Sequence, residues 1–298
     1  MRSAVIEIGG TTTRAVVADP APGGGLTLRL DRRIVLRLRQ AVDRDGAVGE
    51  GLRLLLVETV RRLQAECFRA GVARPHVVAA ADLAGAGDLG DLLASLRRAV
   101  AGPIEVRSSL DEASLLLQDV ALDGDVAVAE VGDRTARFVQ RVAGAITVEH
   151  RAGPLDVARA LGRRELRLDP APALDEVRAL RTCRAVVTGP VAAAVVRALW
   201  ARNGRGARGP DRCEVTTAAL AALERELLAL TPTQRLLLPA VAPEEVDLVV
   251  LGAGYLHGLA QRWDVEAVLA VATSSAEATL RARLVDGSAT TARPTMPA

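Results

Sequence analysis

The sequence predicts two related α/β domains, and three observations carry this prediction. The 298 residues are enough for two ordinary domains, each with a core of its own. The first 20 residues have the pattern strand, turn, strand, and helical and strand-like segments alternate after them. The opening pattern then recurs 123 positions later, with Glu130 in the place of Glu7.

Hydrophobic spacing places the elements of the first part. A period of two or a short apolar run bounded by turn residues predicts strands at residues 4–8, 14–18, 26–38, 77–81 and 104–107. Apolar residues on one helical face predict helices at 49–70, 91–100 and 110–120. We expect a domain boundary near residues 122–124, with one domain over 1–122.

The second part follows the same alternation and is expected to form a domain over residues 123–285. Predicted strands lie at 127–131, 146–150, 185–188, 247–251 and 268–272. Predicted helices lie at 191–200, 216–230 and 275–284, and a further helix is predicted from after Gly254 to residue 262. A stretch rich in Pro and Arg surrounds 162–175, and a loop rich in Gly and Arg covers 203–211. The tail, residues 286–298, is predicted to be disordered.

The repeat concerns the tip of each opening hairpin. It has the form Glu-[Ile/Val]-Gly-x-x-Thr-x-Arg-x-Val, and pairs Gly9 with Gly132 and Thr12 with Thr135. Backbone N–H groups and threonine hydroxyls at such a tip can bind phosphate oxygens. A carboxylate just before the turn can hold Mg²⁺ directly or through water. The purely structural interpretation, in which these are two ordinary hairpins with solvent-exposed acids, stays open.

Composition excludes several classes of protein. Net charge is +2, all basic residues are arginine and mixed with acids, and only five aromatic residues are present, so a nucleic-acid-binding protein is disfavoured. No stretch of about eighteen apolar residues exists, so we expect no transmembrane helix. An acid at position 7 argues against a signal peptide, and the spacing of Cys67, Cys183 and Cys213 fits neither a disulfide framework nor a zinc site. A cytoplasmic location is therefore predicted.

Two further motifs of the sequence are less informative. Gly85, Gly87 and Gly90 satisfy G-x-G-x-x-G between a predicted strand and helix, but they lie deep in the chain and no acid closes the next strand, which disfavours dinucleotide binding. Asp111 and Glu112 open a predicted helix. They are either acids favoured by the helix dipole or carboxylates that orient a water molecule, and the residues alone leave both open.

The order of these segments resembles the exopolyphosphatase / guanosine pentaphosphate phosphohydrolase (Ppx/GppA) family, in its short form, over nearly the whole chain. The opening motif of the family, Asp-[Ile/Val]-Gly-Ser-Asn-[Ser/Thr], matches residues 7–12, and its Asp-Ile-Gly-Gly-Gly-Ser matches 130–135. Its Glu-Glu-Ala-Arg matches residues 111–114. Residues 215–239 and 246–253 are also close matches to family segments.

The resemblance implies a fold and an activity. The fold is the two-domain actin-like ATPase (ribonuclease H-like) fold, with a functional cleft between the domains. The activity is hydrolysis of terminal phosphoanhydride bonds of inorganic polyphosphate or a guanosine polyphosphate, with Mg²⁺ or Mn²⁺ as cofactor, and a homodimer is possible.

The family's site residues carry over position by position. Glu7 and Glu130 are the implied metal ligands, and Glu112, or less plausibly Asp111, is the implied general base. The implied phosphate-binding residues are Gly9, Gly10, Thr11, Thr12, Thr13, Gly132, Arg134 and Thr135.

Departures from the family pattern support a second hypothesis. Both loop aspartates are glutamates here, Asp133 and Arg134 replace two glycines, and the Ala-Thr-Ser-Ala-x-Arg-Asp-Ala segment of the family stands as residues 80–87 without its arginine. The Gly-Leu-Arg-Glu-Gly segment is represented only by residues 275–278. The alternative is therefore a catalytically inactive member that acts as a regulatory module and binds a phosphorylated ligand or a protein.

Overall fold

The computed structural model of the chain describes residues 2–21, 25–100, 102–160, 184–205 and 210–290. The chain divides into two compact units. Unit 1 comprises Met1–Asp119 together with Ser275–Ala298, and unit 2 comprises Val120–Ser274.

Unit 1 contains a five-stranded mixed sheet in the order β3-β2-β1-β4-β5. Its strands are β1 (Ser3–Ile8), β2 (Thr12–Pro20), β3 (Leu26–Val35), β4 (His76–Ala79) and β5 (Ile104–Val106). The β1, β2 and β3 strands form an antiparallel meander, and β4 and β5 join β1 in parallel. The carboxyl ends of the three parallel strands therefore meet at one edge, where α/β proteins place their functional groups.

Helices cover this sheet because its central strands are apolar on both faces. The helices of the first 120 residues are α1 (Leu38–Asp45), α2 (Glu50–Arg69), α3 (Leu89–Ala99) and α4 (Ser109–Val120). Ile6 and Ile8 of β1 belong to the core formed with α2 and α3, whereas Val5 points to the opposite face and packs in a second cluster.

Unit 2 repeats this topology. Its sheet has the order β8-β7-β6-β9-β11-β10, so its first five strands correspond one by one to those of unit 1. The strands are β6 (Val126–Val131), β7 (Thr135–Val142), β8 (Ala145–Ala152), β9 (Arg184–Thr188), β10 (Arg212–Thr216) and β11 (Ala267–Val271). The extra strand, β10, is antiparallel to β11. The repeat in sequence is thus a repeat in structure.

The described helices of unit 2 enclose a core that contains Phe138, Tyr255 and Trp263. They are α5 (Pro154–Ala160), α6 (Gly189–Arg202), α7 (Thr217–Ala229), α8 (Pro232–Arg235) and α9 (Val246–Arg262). Trp263 is buried and meets Phe138 edge to face, with ring centroids 6.3 Å apart. Every helix among the described residues is too short or too polar to span a bilayer.

The last helix, α10 (Ser275–Thr290), returns to unit 1. Its Ala276 and Leu280 pack with Val5 on the face of the sheet opposite to α2. Residues 275–285 were assigned to the second domain from sequence, but these apolar contacts join them to the first. Residues 286–290 continue the helix and residues 291–298 lie outside the described part, so the predicted disorder of the tail stays a prediction.

Several described segments differ from the elements predicted by hydrophobic spacing. The predicted strand at 247–251 is wrong, because these residues are the first turns of α9. The predicted strand at 26–38 ends at Val35, and α1 follows it. The β10 strand begins directly after the predicted loop. The Pro- and Arg-rich stretch around 162–175, like Cys183, lies outside the described residues.

The error in α9 has a local cause. A short apolar run followed by glycines has the same composition in a buried strand and in a buried helix. Gly252 lies inside α9 because α6 passes close to it. A β-carbon at Gly252 would lie 2.5 Å from Cγ1 of Val191 and 3.2 Å from Cγ2 of Val195.

We therefore expect Gly252→Ala to destabilise the protein. Overpacking against a stiff β-branched neighbour costs about 1–3 kcal/mol of unfolding free energy. The matched control is Gly51→Ala in α2, where a β-carbon has no neighbour within 4 Å and the gain is about 0.5–1 kcal/mol. Urea unfolding followed by circular dichroism measures both. Equal stability of the two variants would contradict the close approach of α6 and α9.

Candidate functional site

The two opening hairpins have the same turn. The N–H of Gly9 donates to the carbonyl of Thr12 at 2.9 Å, and the N–H of Gly132 donates to the carbonyl of Thr135 at 2.9 Å. These bonds close each loop and fix the register of the strands that follow. Each loop thus follows the carboxyl end of the first strand of its unit.

This register places an arginine opposite each candidate metal ligand. Glu7 of β1 faces Arg14 of β2, and Glu130 of β6 faces Arg137 of β7. Directly opposed residues of an antiparallel pair have neighbouring side chains. The acid and the arginine of the repeated motif are therefore cross-strand neighbours in both units.

In unit 2 the two side chains form an ion pair. Arg137 donates from Nε to Oε2 of Glu130 at 3.0 Å, and its Nη2 donates to the same oxygen. The side chains are only 10% and 16% exposed, so water screens their charges little. The carboxylate proposed to bind a metal is thus neutralised by a cation of the chain itself.

In unit 1 the residues of the motif contact further elements. The hydroxyl of Ser275, the first residue of α10, donates to Oε1 of Glu7. Arg14 donates to both carboxylate oxygens of Asp31 at 2.7 and 2.8 Å, and to Glu277 at 2.9 Å. Burial acts to lower the pKa of Arg14. The hydrogen bonds to Asp31 and the charges of Glu277 and Asp31 outweigh burial, so the pKa is raised and the guanidinium stays charged.

These partners decide whether the implied Mg²⁺ fits. Within the described part of either unit, no three His, Cys, Asp or Glu side chains are grouped so that they could hold a metal ion. Oε2 of Glu130 accepts two hydrogen bonds from a guanidinium, and a cation bound to that carboxylate would lie beside a positive charge. At 4 Å near a protein surface such repulsion is about 4 kcal/mol for each pair of unit charges. The residues present therefore do not fit the Mg²⁺ ion that the resemblance implies.

The first glycine-threonine loop is engaged by other parts of unit 1. The N–H of Gly10 donates to Oδ2 of Asp82 at 2.9 Å. The carbonyl of Thr11 accepts the N–H groups of Leu36 and Arg37 at 3.0 and 2.9 Å.

The two following threonines differ in exposure. Thr12 is half-buried at the start of β2, whereas Thr13 is fully buried, and its hydroxyl has no partner among the described residues. Thr13 is therefore enclosed in the strand and not at the loop surface, where the sequence placed a phosphate ligand.

The second loop is engaged by its own side chains and by α5. Oδ1 of Asp133 accepts the N–H of Arg134 at 2.9 Å, and the guanidinium of Arg134 pairs with Asp156 at 2.8 Å. The N–H of Gly153 donates to the carbonyl of Arg134 at 2.7 Å, and the N–H of Leu155 donates to the carbonyl of Asp133 at 2.9 Å. Thr135 is exposed at the start of β7.

The two acids at the start of α4 have different surroundings. Glu112 is 4% exposed, and its Oε1 accepts the N–H of Ala81 at 3.1 Å. Asp111 is exposed and forms a reciprocal cap with Ser108, accepting its N–H at 2.9 Å and its hydroxyl at 2.7 Å. These hydrogen bonds lower the pKa of Asp111, which makes it a weak base. Of the two, Glu112 has the surroundings of a functional carboxylate.

The fold matches solved structures of one family over almost its full length. The Ppx/GppA phosphatase of Aquifex aeolicus, in its type II variant, has a TM-score of 0.77 at 15% identity, over 95% of this chain and 99% of that one. The chain has the Ppx/GppA phosphatase fold. An exopolyphosphatase from Cytophaga hutchinsonii has a TM-score of 0.74 at 14% identity, over 96% of this chain and 98% of that one. No protein-family model and no curated protein matches the sequence.

These matches confirm the resemblance stated from the motifs and the actin-like fold class. At 14–15% identity the likeness is one of fold. Within the Ppx/GppA fold, Glu7 and Glu112 belong to unit 1 and Glu130 to unit 2. The cleft between the domains and the roles of these residues stay predictions.

Three residues that complete the surroundings of these acids were not proposed from sequence. Of the three, Arg137 had a usable signal, because a four-residue turn after Val131 places it directly opposite Glu130. Asp82 and Ser275 are distant in sequence from the residues they contact, by 72 and 268 positions. Only the fold brings them there.

We expect Arg137→Met to destabilise the protein by leaving Glu130 charged and unpaired. Since both side chains keep some exposure, the expected loss is about 2–3 kcal/mol, at the lower end of values for buried pairs. The double variant Glu130→Gln/Arg137→Met removes both charges and should recover most of this loss. Urea unfolding of the four members of the cycle gives the coupling energy.

The control for this cycle is Arg202→Met. Arg202 pairs with Glu226 at 2.8 Å, but both side chains are more than 40% exposed. Its loss should be below about 1 kcal/mol. A stability loss for Arg137→Met no larger than that of this control would contradict the compensation of Glu130 by Arg137.

Proposed function

We propose that this chain is a catalytically inactive relative of the Ppx/GppA phosphatases that serves as a regulatory binding module. The observation that carries this proposal is the ion pair between Glu130 and Arg137. In the implied mechanism Glu130 holds a metal ion, and here its carboxylate is already bonded to a guanidinium. A fold whose acids are compensated internally keeps its stability without the cation that the chemistry requires.

The two loops support the same proposal. A phosphoryl group would be bound by loop N–H groups, yet those of Gly10 and Arg134 donate to Asp82 and Asp133. Arg134, the cation that would offset Asp133, is paired with Asp156 instead. Anionic side chains of the protein therefore stand where the anionic part of a substrate would bind.

Hydrolysis of terminal phosphoanhydride bonds of polyphosphate or guanosine pentaphosphate is the second candidate function. The surroundings of Glu112 favour it. The carboxylate is buried at the start of α4, and one of its oxygens is oriented by the N–H of Ala81. An oriented, buried carboxylate is the kind of group that acts as a general base toward water.

Phosphate release separates the two functions. We expect the purified, folded protein to release no phosphate above the buffer baseline from polyphosphate or guanosine pentaphosphate, with either Mg²⁺ or Mn²⁺. The variants are Glu112→Gln and, as a matched control, the neighbouring Asp111→Asn. Metal-dependent release that Glu112→Gln abolishes and Asp111→Asn preserves would overturn the proposal and establish the phosphatase.

The kind of partner is tested on the same samples. A rise in melting temperature with polyphosphate or guanosine pentaphosphate would indicate that the module binds a phosphorylated ligand, because a ligand of the native state stabilises it. An unchanged melting temperature would favour a protein partner.

A further inference from the structure

The carboxylate of Asp82 lies directly on the first glycine-threonine loop. We infer that Asp82 is a tethered anion that occupies the anion position of this loop and keeps phosphate from binding there. This inference deepens the proposed function and rests on it, and it names the residue that closes the loop of unit 1.

The contact between Asp82 and the loop is close. Oδ2 of Asp82 lies 2.9 Å from the backbone nitrogen of Gly10. A β-carbon at Gly10 would come within 2.5 Å of Oδ2 and 3.1 Å of the carboxylate carbon, and within 2.8 Å of Cβ of Arg39. Position 10 therefore has room for the carboxylate only because it is glycine.

The backbone that carries Asp82 is fixed at the edge of the sheet. Asp82 is the middle residue of a short 3₁₀ helix, Ala81–Leu83, that follows β4 directly. The N–H of Ala80 donates to the carbonyl of Ile8 at 3.0 Å, and Leu83 is buried in the core of unit 1. The carboxylate is thus positioned by the end of β1 itself, next to the loop that it contacts.

The charge of Asp82 is available to repel another anion. Arg39 donates to Asp43 at 2.6 Å and to the backbone carbonyl of Asp82 at 3.4 Å. Among the described residues, the Asp82 carboxylate accepts the N–H of Gly10. A phosphate oxygen would need the same N–H and would meet a negative charge beside it.

The experiment compares binding of inorganic tripolyphosphate to the wild type and to Asp82→Ser. Serine removes the charge and shortens the side chain. The control is Asp91→Ser, which makes the same change of charge in unit 1 at a side chain that is 80% exposed. Titration calorimetry in buffer containing a chelator gives affinity without metal. The amide resonance of Gly10 in ¹⁵N-correlated spectra reports the site.

We expect Asp82→Ser to bind tripolyphosphate at least about tenfold more tightly than the wild type, a difference of about 1.4 kcal/mol. The Gly10 amide should shift on titration in this variant only, and Asp91→Ser should behave as the wild type. Asp82→Asn is the second variant, in case serine loosens the segment. It keeps an acceptor for the Gly10 N–H without the charge, and a smaller gain is expected.

A wild type that binds tripolyphosphate as tightly as Asp82→Ser, with the same shift of Gly10, would overturn the inference. So would a folded Asp82→Ser and a folded Asp82→Asn that both show no gain. Neither result depends on phosphate release, which tests the proposed function. Failure of the inference and failure of the proposed function are therefore distinguishable.

Discussion

An ionised carboxylate on a central strand that is covered on both faces must be compensated, and this constraint organises both units. Glu7 and Glu130 each stand among fully buried neighbours, one residue before the end of their strand. A buried charge without a partner is costly enough to threaten the fold. The partners that the chain supplies therefore determine what else either acid can do.

Each unit supplies polar partners to the residues of the repeated motif. In unit 2, β7 is joined to β6 by a tight turn and provides the guanidinium of Arg137 to Glu130. In unit 1 the corresponding Arg14 donates to Asp31 and Glu277, and the hydroxyl of Ser275 in α10 donates to Glu7. The contacts of the motif in unit 1 thus extend to a helix that is distant in sequence.

Much of the fold follows from local pattern in the sequence. Alternation of apolar residues and the repeated tip motif predict the paired hairpins, since the hydrogen bonds within a hairpin depend on neighbouring residues. The helix at α2 follows from its apolar face, and Thr216 caps α7, its hydroxyl accepting the N–H of Ala219. The strand predicted in place of the start of α9 shows the limit, because residues 249–256 of this helix are all buried and no polar face there reveals its period.

The candidate site was less predictable for a physical reason. Sequence locates an acid or a glycine but not the group that reaches it from another element. Asp82, in a short helix after β4, changes the chemistry of Gly10. Ser275, at the start of α10, changes that of Glu7. Neither residue belongs to the hairpin that contains its partner. Resemblance to the Ppx/GppA family supplied the roles of these positions, whereas the contacts describe what this chain does with them.

The return of α10 to unit 1 has a consequence for synthesis on the ribosome. Unit 2 is one continuous segment, so all of its strands have been made once residue 274 has emerged. Unit 1 has to wait, because Ala276 and Leu280 cover the face of β1 and Ser275 reaches Glu7 only after the whole of unit 2 has been translated. The first strand of unit 1 is then covered later than the strands of unit 2, and until then its apolar face is a surface for chaperones to shield.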